Sequence, residues 1–228
     1  MDFEYIARLM PQLGAGLGVT LEIFIATLVL SLPLGLLLSL GRISRFKPLS
    51  WLVGAYLLIF RGTPLMLQLF FFYFGLPFIK FYNPFTGGLF KIVLDKFSAA
   101  LLAFVLNYAA YFAEIFRGGI LSVNKGQYEG AKALGLNSMQ TMGLVIIPQM
   151  LRSIVPPVAN EAIVLIKDTA LVSSIALIDI LRCAQQAVNR DMNVTAYAVV
   201  AVIYLIFTLL LTKAFELVEK RLSISTNK

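Results

Sequence analysis

Residues 23–41 read IFIATLVLSLPLGLLLSLG, a run without one charge. A helix advances 1.5 Å per residue, so a run of this length nearly crosses the ~30 Å hydrocarbon layer of a bilayer. Four more stretches share its character. Residues 48–79 are uncharged apart from Arg61. Residues 97–113 and 194–212 are uncharged, and 144–166 is broken only by Arg152 and Glu161. None alternates apolar with polar residues as a strand of a membrane barrel does. A backbone in hydrocarbon must satisfy its own hydrogen bonds, so the reading is an all-α integral membrane protein with about five transmembrane helices.

Composition agrees. Of 228 residues, 59% are hydrophobic and 14% charged, with mean hydropathy +0.86. One soluble core of this size cannot hide that apolar excess. The chain has no histidine, which excludes a histidine base, a Ser-His triad and a histidine-ligated metal. A single cysteine, Cys183, excludes an internal disulfide and a cysteine cluster for zinc. The net charge of +7 sits between apolar runs, not on one solvated face, so nucleic-acid binding is set aside. The start, Met1-Asp2-Phe3-Glu4, lacks the basic region of a cleaved signal peptide, so the first span is expected to remain.

Five spans put the termini on opposite sides. With the N-terminus outside, eleven Lys and Arg fall in cytoplasmic parts and seven outside, with Arg61 unassigned. Gly41 to Lys47 holds Arg42, Arg45 and Lys47 with no acid. The bias favours N-terminus outside and C-terminus cytoplasmic. The second run is too long for one upright helix. Pro64 predicts a bend after Arg61-Gly62-Thr63, the alternative being one tilted helix. Between the second and third spans, Asn83-Pro84 and Gly87-Gly88 are turn signals. The stretch 167–193 mixes an apolar piece, 170–180, with polar residues and is expected outside, folding back on the membrane. Gly14-Ala15-Gly16-Leu17-Gly18 reads as a small-residue packing surface, and no strand precedes it to make a nucleotide loop. No linker divides the chain, which is read as one transmembrane domain, 1–228.

The segment between the third and fourth spans carries Gly126-Gln127-Tyr128-Glu129-Gly130-Ala131-Lys132-Ala133-Leu134-Gly135. Ser122 or Asn124 can cap a short helix here, and Gly135 suits a left-handed stop. Lys125, Glu129 and Lys132 have spacings that share one face. Asn137-Ser138 caps the next helix. A short helix at the cytoplasmic face follows, and from spacing alone a solvated loop helix is an equal reading.

The same stretch resembles the EAA loop of ABC-importer permease subunits. Glu129-Gly130-Ala131, Gly135, Val145 and Ile147-Pro148 keep every spacing of that pattern, with Gly130, Val145 and Ile147 departing from its Ala, Ile and Leu. Phe60-Arg61-Gly62-Thr63-Pro64-Leu65, Ala113-Glu114-Ile115-Phe116-Arg117-Gly118-Gly119-Ile120, and Lys167-Asp168-Thr169-Ala170-Leu171 are similar to permeases of the polar-amino-acid branch, closest to arginine, histidine, lysine or glutamine systems. The resemblance implies a subunit of an ATP-driven importer in the bacterial plasma (inner) membrane. Its partners would be a second permease chain, two ATPase subunits, an external substrate-binding protein and membrane lipid. The helix at Gly126, Gln127, Tyr128, Glu129, Ala131, Lys132 and Gly135 would contact an ATPase. The chain has no Gly-x-x-x-x-Gly-Lys-Ser/Thr loop, so ATP and magnesium are expected on the partner subunits, and the chain is expected to be no enzyme and to bind no cofactor or metal.

An ionisable group deep in a span is a functional candidate. Glu22 lies near the outer end of the first span and can reach the interface. Glu114 stands three residues before Arg117, where a structural ion pair is favoured. Glu161 lies inside the fourth span after Pro156-Pro157, which should bend the helix, with Asn160 beside it. Asp168 follows Glu161 by seven residues, so the two carboxylates share one face about 10 Å apart along the axis. That spacing suits the two cationic groups of a basic amino acid. The plainer readings pair Glu161 with Arg61 and make Asp168 a cap. Gln68 either lines the path or hydrogen-bonds between helices. The substrate-binding candidates are thus Glu161, Asn160, Asp168 and Gln68. The competing class is an ion-gradient-driven secondary transporter or channel, with the buried acid as its ion site.

Overall fold

The computed structural model describes residues 3–82 and 88–224. Met1, Asp2, the Asn83-Pro84 pair, Gly87 and Lys228 lie outside the described residues. Helix α1 spans Phe3–Ile43, and α2 spans Lys47–Gly62 with Pro48 in its first turn. Helix α3, Leu65–Phe70, continues through a π turn, Phe71–Gly75, and a 3-10 turn, Leu76–Phe78. Next come α4, Lys96–Ser122; α5, Lys125–Ala133; and the single turn α6, Ser138–Gln140. A π turn, Thr141–Ile146, leads into α7, Ile147–Asp168, and a 3-10 segment, Thr169–Ile175. Helices α8, Ile180–Asp191, and α9, Thr195–Ile224, complete the described residues.

Among the described residues, four helical stretches are long and apolar enough to cross a membrane: Glu4–Ile43, Lys96–Ser122, Ser138–Ile175 and Thr195–Leu222. A fifth is a bent pair, Lys47–Gly62 with Leu65–Phe78, turned by 104°. The expected bend at Pro64 is therefore a corner. Pro64 is extended (φ −61°, ψ 135°) and so is Thr63 (φ −120°, ψ 146°), which ends one helix and starts the next. Helix α1 packs chiefly on α4, and α7 lies against α4 and α9. Phe104, Tyr108 and Phe112 of α4 fill the centre with Ile23 of α1, Leu69 of α3 and Leu165 of α7. Outward side chains such as Val29, Leu37, Leu58, Leu205 and Leu210 are apolar and exposed. Such an exterior is stable in hydrocarbon and costly in water.

Several expectations change. The chain is mostly helical, with one addition: strands β1, Lys80–Tyr82, and β2, Leu89–Lys91, pair antiparallel, with Phe81 opposite Phe90 and their ring centroids 5.7 Å apart. Aromatic cross-strand pairs stabilise so short a ribbon. Helix α7 runs unbroken through Pro156 and Pro157. The irregularity falls earlier, in the π turn just before Pro148, where a widened turn accommodates a ring that cannot donate. The stretch 167–193 folds as a 3-10 segment and a separate helix, α8, whose Cys183, Ala184 and Ala187 pack with Leu9 and Leu13 of α1 and Val200 of α9. Of the clustered glycines in α1, only Gly16 is a packing site. A Cβ there would stand 2.7 Å from both the Asp179 carbonyl oxygen and Cys183 Sγ, whereas Gly14 and Gly18 have nothing within 4 Å.

Candidate functional site

The corner between α2 and α3 leaves carbonyls without helical partners, and two amides answer them. Gln68 Nε2 donates to Phe60 O (2.9 Å), Thr63 O (3.1 Å) and Thr63 Oγ1 (2.9 Å). Asn107 Nδ2, from α4, donates to Phe60 O at 2.9 Å and to Gln68 Oε1 at 3.0 Å. Thr63 Oγ1 donates to Ile59 O at 2.7 Å. Burial makes each such bond matter, because an unpaired carbonyl in this setting costs about 1–3 kcal/mol. Gln68 is 8% exposed and its amide is occupied in this way.

Against this corner α4 and α7 enclose a cavity of about 490 Å3, lined by Arg61, Thr63 and Pro64, by Asn107, Tyr108 and Tyr111, and by Glu161 and Asp168. Positions seven apart on a helix nearly superimpose in projection, so Glu161 and Asp168 face the same space. Asp168 Oδ2 accepts a hydrogen bond from the Tyr108 hydroxyl at 2.8 Å. Arg61 and Asp168 are the charged side chains that share this cavity with Glu161. The Arg61 guanidinium carbon lies 5.5 Å from the centroid of the Tyr111 ring, a cation–π distance. Asn160 is exposed and outside the cavity lining, since one residue on a helix rotates a side chain by about 100°. Asn107, Tyr108 and Tyr111 were not singled out from sequence. Their one signal was an asparagine within an otherwise apolar run.

Further along α4, Glu114 accepts from Arg117: Nε to Oε1 at 3.2 Å and Nη2 to Oε2 at 2.8 Å. Arg61 Nη1 stands 3.9 Å from the same carboxylate. The expected local ion pair is present. Glu22 is exposed.

Helix α5 begins at Asn124, whose side chain accepts from Gly126 N at 2.8 Å. It ends where Gly135 takes φ +77° and Leu136 N donates back to Ala131 O at 3.0 Å. Ala131 is buried and Tyr128 half-buried, while Gly126, Gln127, Glu129, Lys132 and Gly135 are exposed. Gln149 Nε2 of α7 donates to Gln127 Oε1 at 3.0 Å. The following turn is a capping box, in which Gln140 N donates to Asn137 Oδ1 (2.9 Å) and Asn137 N to Gln140 Oε1 (3.0 Å). Helix α5 thus packs against the π turn that starts α7, and Gln127 ties it to α7 itself.

Comparison with known proteins adds family evidence. The model of the family described as "Binding-protein-dependent transport system inner membrane component" matches residues 31–224. The arginine transport system permease protein ArtQ of Bacillus subtilis is 39% identical over 223 residues, spanning 97% of each chain. The L-cystine transport system permease protein TcyB of the same organism is 37% identical, covering 93% of this chain and 87% of that one. The solved structure of an amino acid ABC transporter with histidines superposes with a TM-score of 0.85 at 33% identity, covering 97% of this chain and 99% of the other.

Proposed function

The chain belongs to the binding-protein-dependent transport system inner membrane components, and from that premise we propose that it is the permease subunit of an ATP-driven importer of basic amino acids. It works in the bacterial inner membrane with a second permease chain, two ATPase subunits that hold ATP and magnesium, and an external binding protein that delivers substrate. The N-terminus faces outside and the C-terminus the cytoplasm, which puts α5 on the cytoplasmic side. There its exposed Gln127, Glu129 and Lys132 meet an ATPase, and its ties to α7 pass the motion on.

The observation that carries the substrate reading is the meeting of Glu161 and Asp168 in one cavity. Two carboxylates against one arginine leave the space net negative. A cation is favoured there, and low polarizability around it strengthens the attraction. The similarity to an arginine permease supports the same reading. Gln68, Asn107 and Pro64 shape the space, with Gln68 as its support. The test is competition uptake by the complete transporter in proteoliposomes. Glu161→Gln should assemble normally yet lose the preference for arginine and lysine over glutamine. Unchanged selectivity in that variant would sink the assignment.

A further inference from the structure

A second cavity, of about 480 Å3, adjoins the first. Its walls are Arg42 of α1, Gly54, Arg61 and Gly62 of α2, and Glu114 and Arg117 of α4. Arg61 and Gly62 belong to both cavities. On α4 the order runs Tyr108, Tyr111, Glu114, Arg117 and then α5, so the second cavity lies about 9 Å nearer the α5 end of the bundle at 1.5 Å per residue. Gly54 and Arg61, seven apart, share one face of α2. The missing side chain at Gly54 leaves room for the Arg42 guanidinium, whose carbon would be 3.4 Å from a Cβ there.

The charge inverts between the two spaces. The first sets two acids against Arg61, and the second sets Arg42, Arg61 and Arg117 against Glu114 alone. Arg117 is taken up by Glu114, and Arg61 lies at the 3.9 Å edge of that pair. Arg42 donates only to neutral oxygens, Ser50 O at 3.1 Å and Ser50 Oγ at 3.0 Å, and forms no ion pair among the described residues. An arginine fork so placed has donors and charge to offer a carboxylate.

Every amino acid carries a carboxylate as well as a cation. With its cationic groups on Glu161 and Asp168, its carboxylate is directed at Arg61, the shared wall. We propose that the second cavity is a transit site for that carboxylate, and that Arg42 receives it from Arg61 as the substrate leaves toward the α5 side. Glu114 moderates the site: by occupying Arg117 it keeps the excess positive charge small, so the carboxylate is held in passage without being trapped. The inference rests on the first cavity being the amino-acid site.

The test uses the complete transporter in proteoliposomes, with labelled arginine, measuring both equilibrium binding without ATP and the ATP-driven uptake rate. Arg42→Gln should lower the uptake rate by about tenfold while arginine binding stays within about twofold, because one charge–carboxylate contact in transit is lost. Arg42→Lys, which keeps the charge, should recover most of the rate. Ser50→Ala, which removes the hydroxyl contacts but keeps the arginine and its bond to the carbonyl of residue 50, should transport within about twofold of the parent. Uptake by Arg42→Gln at the parent rate overturns the transit site. So does an equal loss in Arg42→Gln, Arg42→Lys and Ser50→Ala, which would mark Arg42 as a strut between α1 and α2. The underlying site is tested separately. If Glu161→Gln binds arginine as the parent does, the first cavity is misassigned, whatever Arg42 does.

Discussion

The junction of α1 and α8 offers a sharp test of the packing. A methyl group at position 16 would meet Asp179 O and Cys183 Sγ at 2.7 Å and the Asp179 carbonyl carbon at 2.8 Å. Ordinary contacts to carbon lie near 3.5–4.0 Å, so α1 and the start of α8 must separate by roughly 0.7 Å. Two of the three atoms are backbone and cannot rotate aside. Overpacking of this kind costs about 1–3 kcal/mol, and the upper end applies here. Alanine returns about 1 kcal/mol through helix propensity, leaving Gly16→Ala about 2 kcal/mol less stable. For a chain of this size that is a fall of roughly 4–8 °C in unfolding midpoint. Gly14→Ala and Gly18→Ala meet nothing within 4 Å and should be neutral or slightly stabilising. Cys183→Ala removes one of the clashing atoms, so it should recover part of the loss and never all. The assay is thermal unfolding of the purified chain in detergent. Equal midpoints for alanine at positions 14, 16 and 18 would refute the close approach. Complete rescue by Cys183→Ala would refute the role of the Asp179 carbonyl.

Two further outcomes follow from buried polar groups. Asp179 is fully buried and caps α8, accepting from Arg182 N at 2.8 Å and Leu181 N at 3.2 Å, and burial pushes its carboxyl up to about 6 from 3.8. Between those values the folded chain keeps a proton that the unfolded chain releases, so this group's contribution falls as pH rises from about 4 to 6, by roughly 3 kcal/mol in all. Asp179→Asn keeps an acceptor and should flatten that slope in a pH series of unfolding midpoints; an unaltered slope would assign it to other groups. Gln68→Leu strips Thr63 O of its side-chain donor and leaves Phe60 O to Asn107 alone, and should cost about 1–3 kcal/mol in detergent unfolding. A midpoint unchanged from the parent would mean that Thr63 O finds another partner.

Much of this architecture was legible because hydrocarbon tolerates few charges. The gaps between Lys, Arg, Asp and Glu outline the spans, and Pro64 marks the corner. Asn124 and Gly135 bound α5 for local reasons, a side-chain cap and a left-handed stop, and both are readable from neighbours in sequence. The shared face of Glu161 and Asp168 follows from helical periodicity alone. What resisted was tertiary. Asn160 is adjacent to Glu161 in sequence and turned away from it in space. Gln68 reads equally as lining or support until the freed carbonyls of Phe60 and Thr63 are located. The aromatic residues Tyr108 and Tyr111 look like packing; only the approach of α7 to α4 gives the Tyr108 hydroxyl a carboxylate to meet, and only the end of α2 brings a guanidinium over the Tyr111 ring. The ribbon of Lys80–Tyr82 with Leu89–Lys91 is too short for a periodic signal.

The corner at Thr63–Pro64 also has a mechanical meaning. Because Gln68 and Asn107 bind its carbonyls, it is a stiff elbow, and the two arms that meet there turn together as a bell crank. At 1.5 Å per residue, α2 gives an arm of roughly 24 Å and 65–78 one of about 20 Å. A rotation of about 5° therefore carries each tip by roughly 2 Å, along directions nearly at right angles, while atoms at the pivot scarcely shift. Arg61 and Pro64 sit at that pivot, in the wall of the acidic cavity. Leverage applied at the Lys47 end is thus redirected sideways at Phe78, and the fulcrum lies in the wall of the acidic cavity.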